Sequence, residues 1–174
     1  MIKREALSEL RKHLDKPEIT LITGPRQVGK STLMQILREE LIAEEQKTLW
    51  LNMDVEEQAR ILQSQQTLMD RMKLEFGREK GFVFIDEIQR KKNAGVFLKG
   101  IYDLNLGVKL IVSGSGSMEL KESIPESLAG RKRVFAIKPV SFWEWVDFAT
   151  DYKYGGRWRE YLELEAGSAL GLVK

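Results

Sequence analysis

Cysteine is absent from this chain and histidine occurs once, as His13. The first absence excludes disulfides, thiolate metal sites and cysteine nucleophiles, and the second excludes a metal site built from several histidines. His13 itself reads as a solvated residue near the end of a first helix. No apolar run approaches the roughly 18 residues of a membrane span. The opening Met-Ile-Lys-Arg-Glu-Ala-Leu lacks the apolar core of a signal peptide. An excess of one charge is also missing: 28 basic against 26 acidic side chains leave a net charge of +2. Nucleic-acid or membrane binding would therefore need a local patch, not an overall field. These absences fit a reducing, cytoplasmic setting with no membrane partner. With 174 residues, 43% of them hydrophobic, the chain can bury one core of ordinary size.

What is present is organised around Ile19-Thr-Leu-Ile-Thr-Gly-Pro-Arg-Gln-Val-Gly-Lys-Ser-Thr-Leu33. Gly24, Gly29, Lys30 and Ser31 match G-x-x-x-x-G-K-[ST], the Walker A pattern. The motif is entered from an apolar run (Ile19, Leu21, Ile22) and left through Leu33, Met34, Ile36, Leu37 and Leu41. That is the strand, loop and helix a phosphate cradle requires. The loop Gly24, Pro25, Arg26, Gln27, Val28, Gly29, Lys30, Ser31 and Thr32 would wrap an anion with inward N–H groups, at the positive end of the following helix. Lys30 would reach the β- and γ-phosphates, and Ser31 would ligate Mg²⁺.

A second piece is Phe82-Val-Phe-Ile-Asp-Glu87. A continuous apolar run suits a strand buried on both faces of a parallel sheet, and its two terminal carboxylates emerge at the edge where open α/β sheets bind ligands. In this Walker B pattern Asp86 would hold Mg²⁺ and Glu87 would orient or deprotonate the attacking water. A third piece is the tip of Val108–Val112, where Ser113 or Ser115 would serve as a sensor touching the γ-phosphate and the water. A fourth is Leu128-Ala-Gly-Arg131. Arg131, with Arg133 second, would stabilise charge on the transferred phosphoryl group in cis or from a neighbouring subunit; a solvated basic turn is the alternative.

Helical spacing predicts helices over residues 3–14, 30–45, 55–77 (one or two), 93–105 and 119–128, and from Ser141 onward; strands are predicted near 18–23, 48–53, 82–85, 108–112 and 133–137. The last helix is dense in aromatics (Phe142, Trp143, Trp145, Phe148), which suits core or interface packing. Alternating strands and helices imply a mostly parallel sheet covered on both faces. Tyr154-Gly-Gly156 reads as a turn and residues 157–165 as a helix. The end on Leu170, Leu172 and Val173 looks like an interruption, so residues 1–150 are expected to form the P-loop domain and 151–174 the start of a lid or linker.

Taken in order, Gly24–Thr32, Phe84-Ile-Asp-Glu-Ile-Gln89, Val112-Ser-Gly-Ser115, Leu128–Arg131 and Pro139-Val-Ser-Phe-Trp-Glu144 resemble the bacterial and archaeal AAA+-like ATPases. The resemblance covers about residues 1–148. It implies a three-layer α/β/α P-loop NTPase with a five-stranded sheet of order 5-1-4-3-2, and ATP with Mg²⁺ as cofactors. It also implies a functional role for Arg131, a supporting one for Gln89, and further C-terminal domains.

The expected function is ATP hydrolysis that drives a conformational change in a partner or a missing domain. Two alternatives stay open: a small-molecule kinase, against which Glu87 argues, and a nucleotide-gated module with little turnover. A homo-oligomer, and a protein or DNA client contacted through Arg90-Lys-Lys92 or Arg131-Lys-Arg133, are the partners to test.

Overall fold

The computed structural model describes residues 2–115, 128–153 and 157. The expected helix over 119–128, apart from Leu128, and most of the stretch after 153 lie outside the described residues. The contacts divide the chain into two units, Ala6–Pro139 and a second formed by the N-terminal residues up to Glu5 with those from Val140 on.

In chain order the elements are α1 (Glu5–Lys12), β1 (Ile19–Gly24), α2 (Lys30–Ala43), β2 (Thr48–Asn52), α3 (Glu56–Ile61), α4 (Gln65–Phe76), β3 (Gly81–Asp86), α5 (Ala94–Asp103), β4 (Val108–Ser115), β5 (Lys132–Ala136) and α6 (Phe142–Ala149). A 3₁₀ turn, Ile88–Arg90, follows β3. The five strands are parallel throughout, in the order β2-β3-β4-β1-β5, which is the expected 5-1-4-3-2 read from the other edge. The strand tips meet in register, with Gly24 beside Ser115 and Asn52 beside Asp86.

Two apolar clusters flank this sheet, because successive strand residues point to opposite faces. On one face Ile19, Leu21, Leu49, Leu51, Val83, Ile85, Leu110 and Val112 pack against α3, α4 and α5 through Leu62, Leu68, Met72, Phe76, Phe97, Leu98 and Ile101. On the other, Ile22, Phe84 and Ile111 pack against α1 and α2 through Leu7, Leu10, Leu33, Met34, Leu37 and Leu41. The result is a three-layer α/β/α fold. Each fully buried leucine of α2 contributes roughly 2 kcal/mol through lost apolar exposure, so α2, and with it the loop that precedes it, is pinned to the sheet. The helix starts are local chemistry: Ser64 caps α4 in a capping box with Thr67, and Gly77 at φ +62° ends it.

One expectation changes. His13 is not a solvated residue. Its Nδ1 lies 2.8 Å from Thr20 Oγ1 on β1, and its ring meets Phe135 of β5 edge-on at 5.3 Å. The turn after α1 folds it back against the sheet. In the second unit, Ser141 and Glu144 form a capping box at the start of α6, and the Arg4 guanidinium pairs with Glu144 at 3.1 Å. Phe142, Trp145 and Phe148 of α6 are exposed. No helix among the described residues is long and apolar enough to cross a membrane.

Candidate nucleotide site

The cradle forms where β1 ends and α2 begins. Gly24 sits at φ +151°, and a Cβ there would lie 2.3 Å from the Ile137 carbonyl oxygen, so only glycine lets the loop leave β1 this close to the chain beyond β5. Gln27 (φ +63°) and Gly29 (φ +91°) then bend the loop back through left-handed conformations. Gly29 caps α2 with no side-chain hydrogen bond, and the first turn of α2 carries no acidic residue. The amide groups of that first turn are therefore available to an anion. Lys30 is only 5% exposed. Its ammonium donates to the carbonyls of Gly24 (3.1 Å) and Pro25 (2.8 Å), holding the long side chain along the loop.

Across from the loop stand the tips of β3 and β4. Asp86 is 3% exposed. The Ser113 hydroxyl donates to Asp86 Oδ1, which also accepts the Glu87 N–H at 3.1 Å. Ser113 is thus committed to orienting Asp86 and is fully buried, inside β4 instead of beyond its end. Glu87 adopts φ +59°, a conformation that costs a non-glycine residue about 1 kcal/mol or more and that clusters at functional sites. It turns the chain abruptly out of β3 into the 3₁₀ turn. Gln89 bridges two elements there: its side-chain amide donates to Glu87 Oε2, and its carbonyl oxygen accepts the Ser115 N–H at 3.1 Å.

One cleft of about 500 Å³ is lined by Arg26, Gln27, Gly29, Lys30, Ser31, Thr32, Asp54, Glu87 and Arg90, while Asp86, Ser113, Gln89 and Ser115 do not line it. The cleft brings most of the loop and Glu87 together. Pro25 contributes its carbonyl to Lys30, while Val28 packs toward the α1/α2 cluster. Asp54 and Arg90 are additions that no motif marked. They belong to separate loops, and only the pairing of β2 with β3 makes them neighbours.

Arg131 is not brought to this cleft. Its carbonyl accepts the Ile19 N–H at the start of β1, and its Nε donates to Asp103 at 2.7 Å, at the end of α5. Because β5 runs parallel to β1, a residue just before β5 lies at the opposite edge of the sheet, about 20 Å along the strands from Gly24. Arg133, paired in register with Thr20, is also near that far edge. Within one chain neither arginine faces the loop.

The donor set fits Mg²⁺ held with a nucleotide's phosphates. A Ser31 hydroxyl and a buried, already oriented Asp86 carboxylate are hard oxygen ligands, and this ion characteristically takes few protein ligands alongside phosphate and water. Among the described residues there is no cluster of three or more His, Cys, Asp or Glu that would hold a metal by itself.

Comparison with known proteins agrees with this architecture. A family profile described as "AAA domain" matches residues 16–146. The uncharacterized proteins Mb2031c of Mycobacterium bovis and Rv2008c of Mycobacterium tuberculosis are each 32% identical over 130 residues, which is 74% of this chain and 27% of theirs. The chain thus spans about a quarter of the length of those curated relatives. Among solved structures, Caenorhabditis elegans PCH-2 has a TM-score of 0.53 at 20% identity, covering 80% of this chain and 42% of that one. A chain of the Drosophila ORC bound to DNA has a TM-score of 0.56 at 13% identity, covering 80% and 91%. At such identities the likeness is one of fold. With its profile matched from residue 16 to 146 and an AAA+-type sheet carrying a phosphate-loop cleft, the chain belongs to the AAA domain family, as a nucleotide-binding, ATPase-like core.

Proposed function

We propose that this core binds ATP with Mg²⁺ and hydrolyses it, and that the hydrolysis cycle drives a conformational change in a partner or in another part of a longer protein. The observation that carries the reading is the placement of Glu87 in the same cleft as Lys30, Ser31 and Thr32, with Asp86 buried directly before it. A carboxylate facing the phosphate loop suits activation of water, which a small-molecule kinase must instead exclude.

The first-turn amides of α2 and the Lys30 ammonium hold the phosphate oxygens. Ser31 and Asp86 hold Mg²⁺, which when bound neutralises charge on the β- and γ-phosphates. Ser113 keeps the Asp86 carboxylate turned in one direction. Glu87 orients the attacking water and accepts its proton, while Gln89 fixes the rotamer of Glu87 by tying it to the backbone of Ser115. Ser115 serves the sensor role through that amide link. Arg131 and Arg133, at the far edge of the sheet, act on a nucleotide only in the site of a neighbouring copy.

Equilibrium binding of a fluorescent ATP analogue, with and without Mg²⁺, tests the reading. Wild-type protein should bind with magnesium dependence, and Lys30→Ala should lose at least tenfold in affinity, as expected when one charge-assisted phosphate contact is removed. Equal binding by both proteins would refute it. One fold neighbour, the Drosophila ORC, is bound to DNA. For this chain a DNA client would show salt-dependent affinity.

A further inference from the structure

One pair in the cleft has no part in the chemistry above. Asp54 follows β2, Arg90 closes the 3₁₀ turn after β3, and the Arg90 guanidinium forms an ion pair with the Asp54 carboxylate. Both side chains line the cleft together with the phosphate loop and Glu87. Their backbones are fixed. The Asp54 N–H is held by Asn52 Oδ1 at 2.8 Å, the Arg90 N–H by the Glu87 carbonyl at 3.1 Å, and Ile88 between them is fully buried. Their heads are free to move, with side chains 55% exposed for Arg90 and 45% for Asp54. An ion pair this open to water is held weakly and exchanges partners readily.

A guanidinium fork matches phosphate oxygens as well as it matches a carboxylate. The terminal phosphate of a triphosphate carries more negative charge than Asp54 and would lie in the same cleft. We propose that Arg90 is the phosphate-contacting arginine supplied by this chain itself, and that Asp54 is its resting partner and competitor. The inference rests on the nucleotide reading above and adds a means of telling triphosphate from diphosphate. When a terminal phosphate is bound, Arg90 leaves Asp54. The side-chain link between the β2–α3 loop and the 3₁₀ turn after β3 is thereby opened. When only a diphosphate remains, the ion pair re-forms. The nucleotide state is reported to the β2–α3 loop through one side chain.

The test compares affinities for a non-hydrolysable ATP analogue and for ADP in wild type, Asp54→Asn, Arg90→Ala and the double variant. Asp54→Asn should tighten analogue binding about three- to fivefold, the scale of one exposed ion pair, and leave ADP binding unchanged. Arg90→Ala should weaken analogue binding roughly tenfold and ADP binding far less. In the Arg90→Ala background, the Asp54→Asn gain should vanish. A gain in affinity is not produced by a misfolded variant, so the first arm stands whatever happens to the second. If the wild type binds both nucleotides and Asp54→Asn leaves analogue affinity unchanged, or if the gain persists without Arg90, the assignment is overturned while the nucleotide reading survives. A wild-type protein that binds neither nucleotide overturns both.

Discussion

The side-chain amide of Gln89 donates to the Glu87 carboxylate while its carbonyl oxygen accepts the Ser115 N–H, so one glutamine fastens the tip of β3 to the tip of β4. This contact defines the direction in which the Glu87 carboxylate points. Gln89→Ala should therefore lower kcat on the order of tenfold or more, as misplacement of a reacting group by about 1 Å does, with KM for ATP little changed. Steady-state phosphate release separates the two constants. A change confined to KM would show that Gln89 acts on binding instead.

The close approach of Gly24 to the chain beyond β5 has a stability consequence. Gly24→Ala would place a Cβ 2.3 Å from the Ile137 carbonyl oxygen, which is backbone and held by the hydrogen bond of its own N–H to the Thr23 carbonyl at 2.7 Å. The variant should lose about 2–4 kcal/mol. Urea unfolding should show this as a lower midpoint with an unchanged slope. A midpoint equal to that of the wild type would mean that the loop yields without cost.

His13 makes stability depend on pH. Burial pushes its pKa below the ordinary value near 6.5, the Lys109 ammonium pushes in the same direction, and Glu18 opposes them. A cation with a lowered pKa in the folded state binds its proton better when unfolded, so protonation favours unfolding. Stability should fall as pH drops from 6.5 toward the lowered native value. Urea midpoints at pH 7.5 and 5, compared between wild type and His13→Gln, isolate this effect. The wild type should lose more on acidification, and identical losses would contradict the placement of His13.

The local pieces of this site were legible because their chemistry is contiguous. Gly24–Thr32 and Phe82–Glu87 carry strand, turn and ligand residues within a dozen positions, so spacing alone predicts the geometry, and the strand order follows from the family those motifs resemble. What depends on distant pairing was not legible. Asp54 and Arg90 become a pair only once β2 and β3 lie side by side, and nothing in the residues near them marks that; the family resemblance implies a supporting role for Gln89 but not its partners Glu87 and Ser115. Arg131 illustrates how a motif is placed by direction. It immediately precedes a strand parallel to β1, and that fact alone sends it to the edge away from the loop. His13 was misread because its partners, Thr20 and Phe135, come from two different strands. The aromatic density of α6 suits core or interface packing, and Phe142, Trp145 and Phe148 are exposed in this chain.

In the proposed reaction Glu87 activates water for attack on a triphosphate held by Gly24–Thr32. Phosphate release from ATP, measured alongside nucleotide affinity in wild type and Glu87→Gln, tests it most directly. Turnover in Glu87→Gln should drop about a hundredfold or more, the scale of a general base, with ATP affinity retained. Turnover in Glu87→Gln equal to that of an active wild type would contradict it.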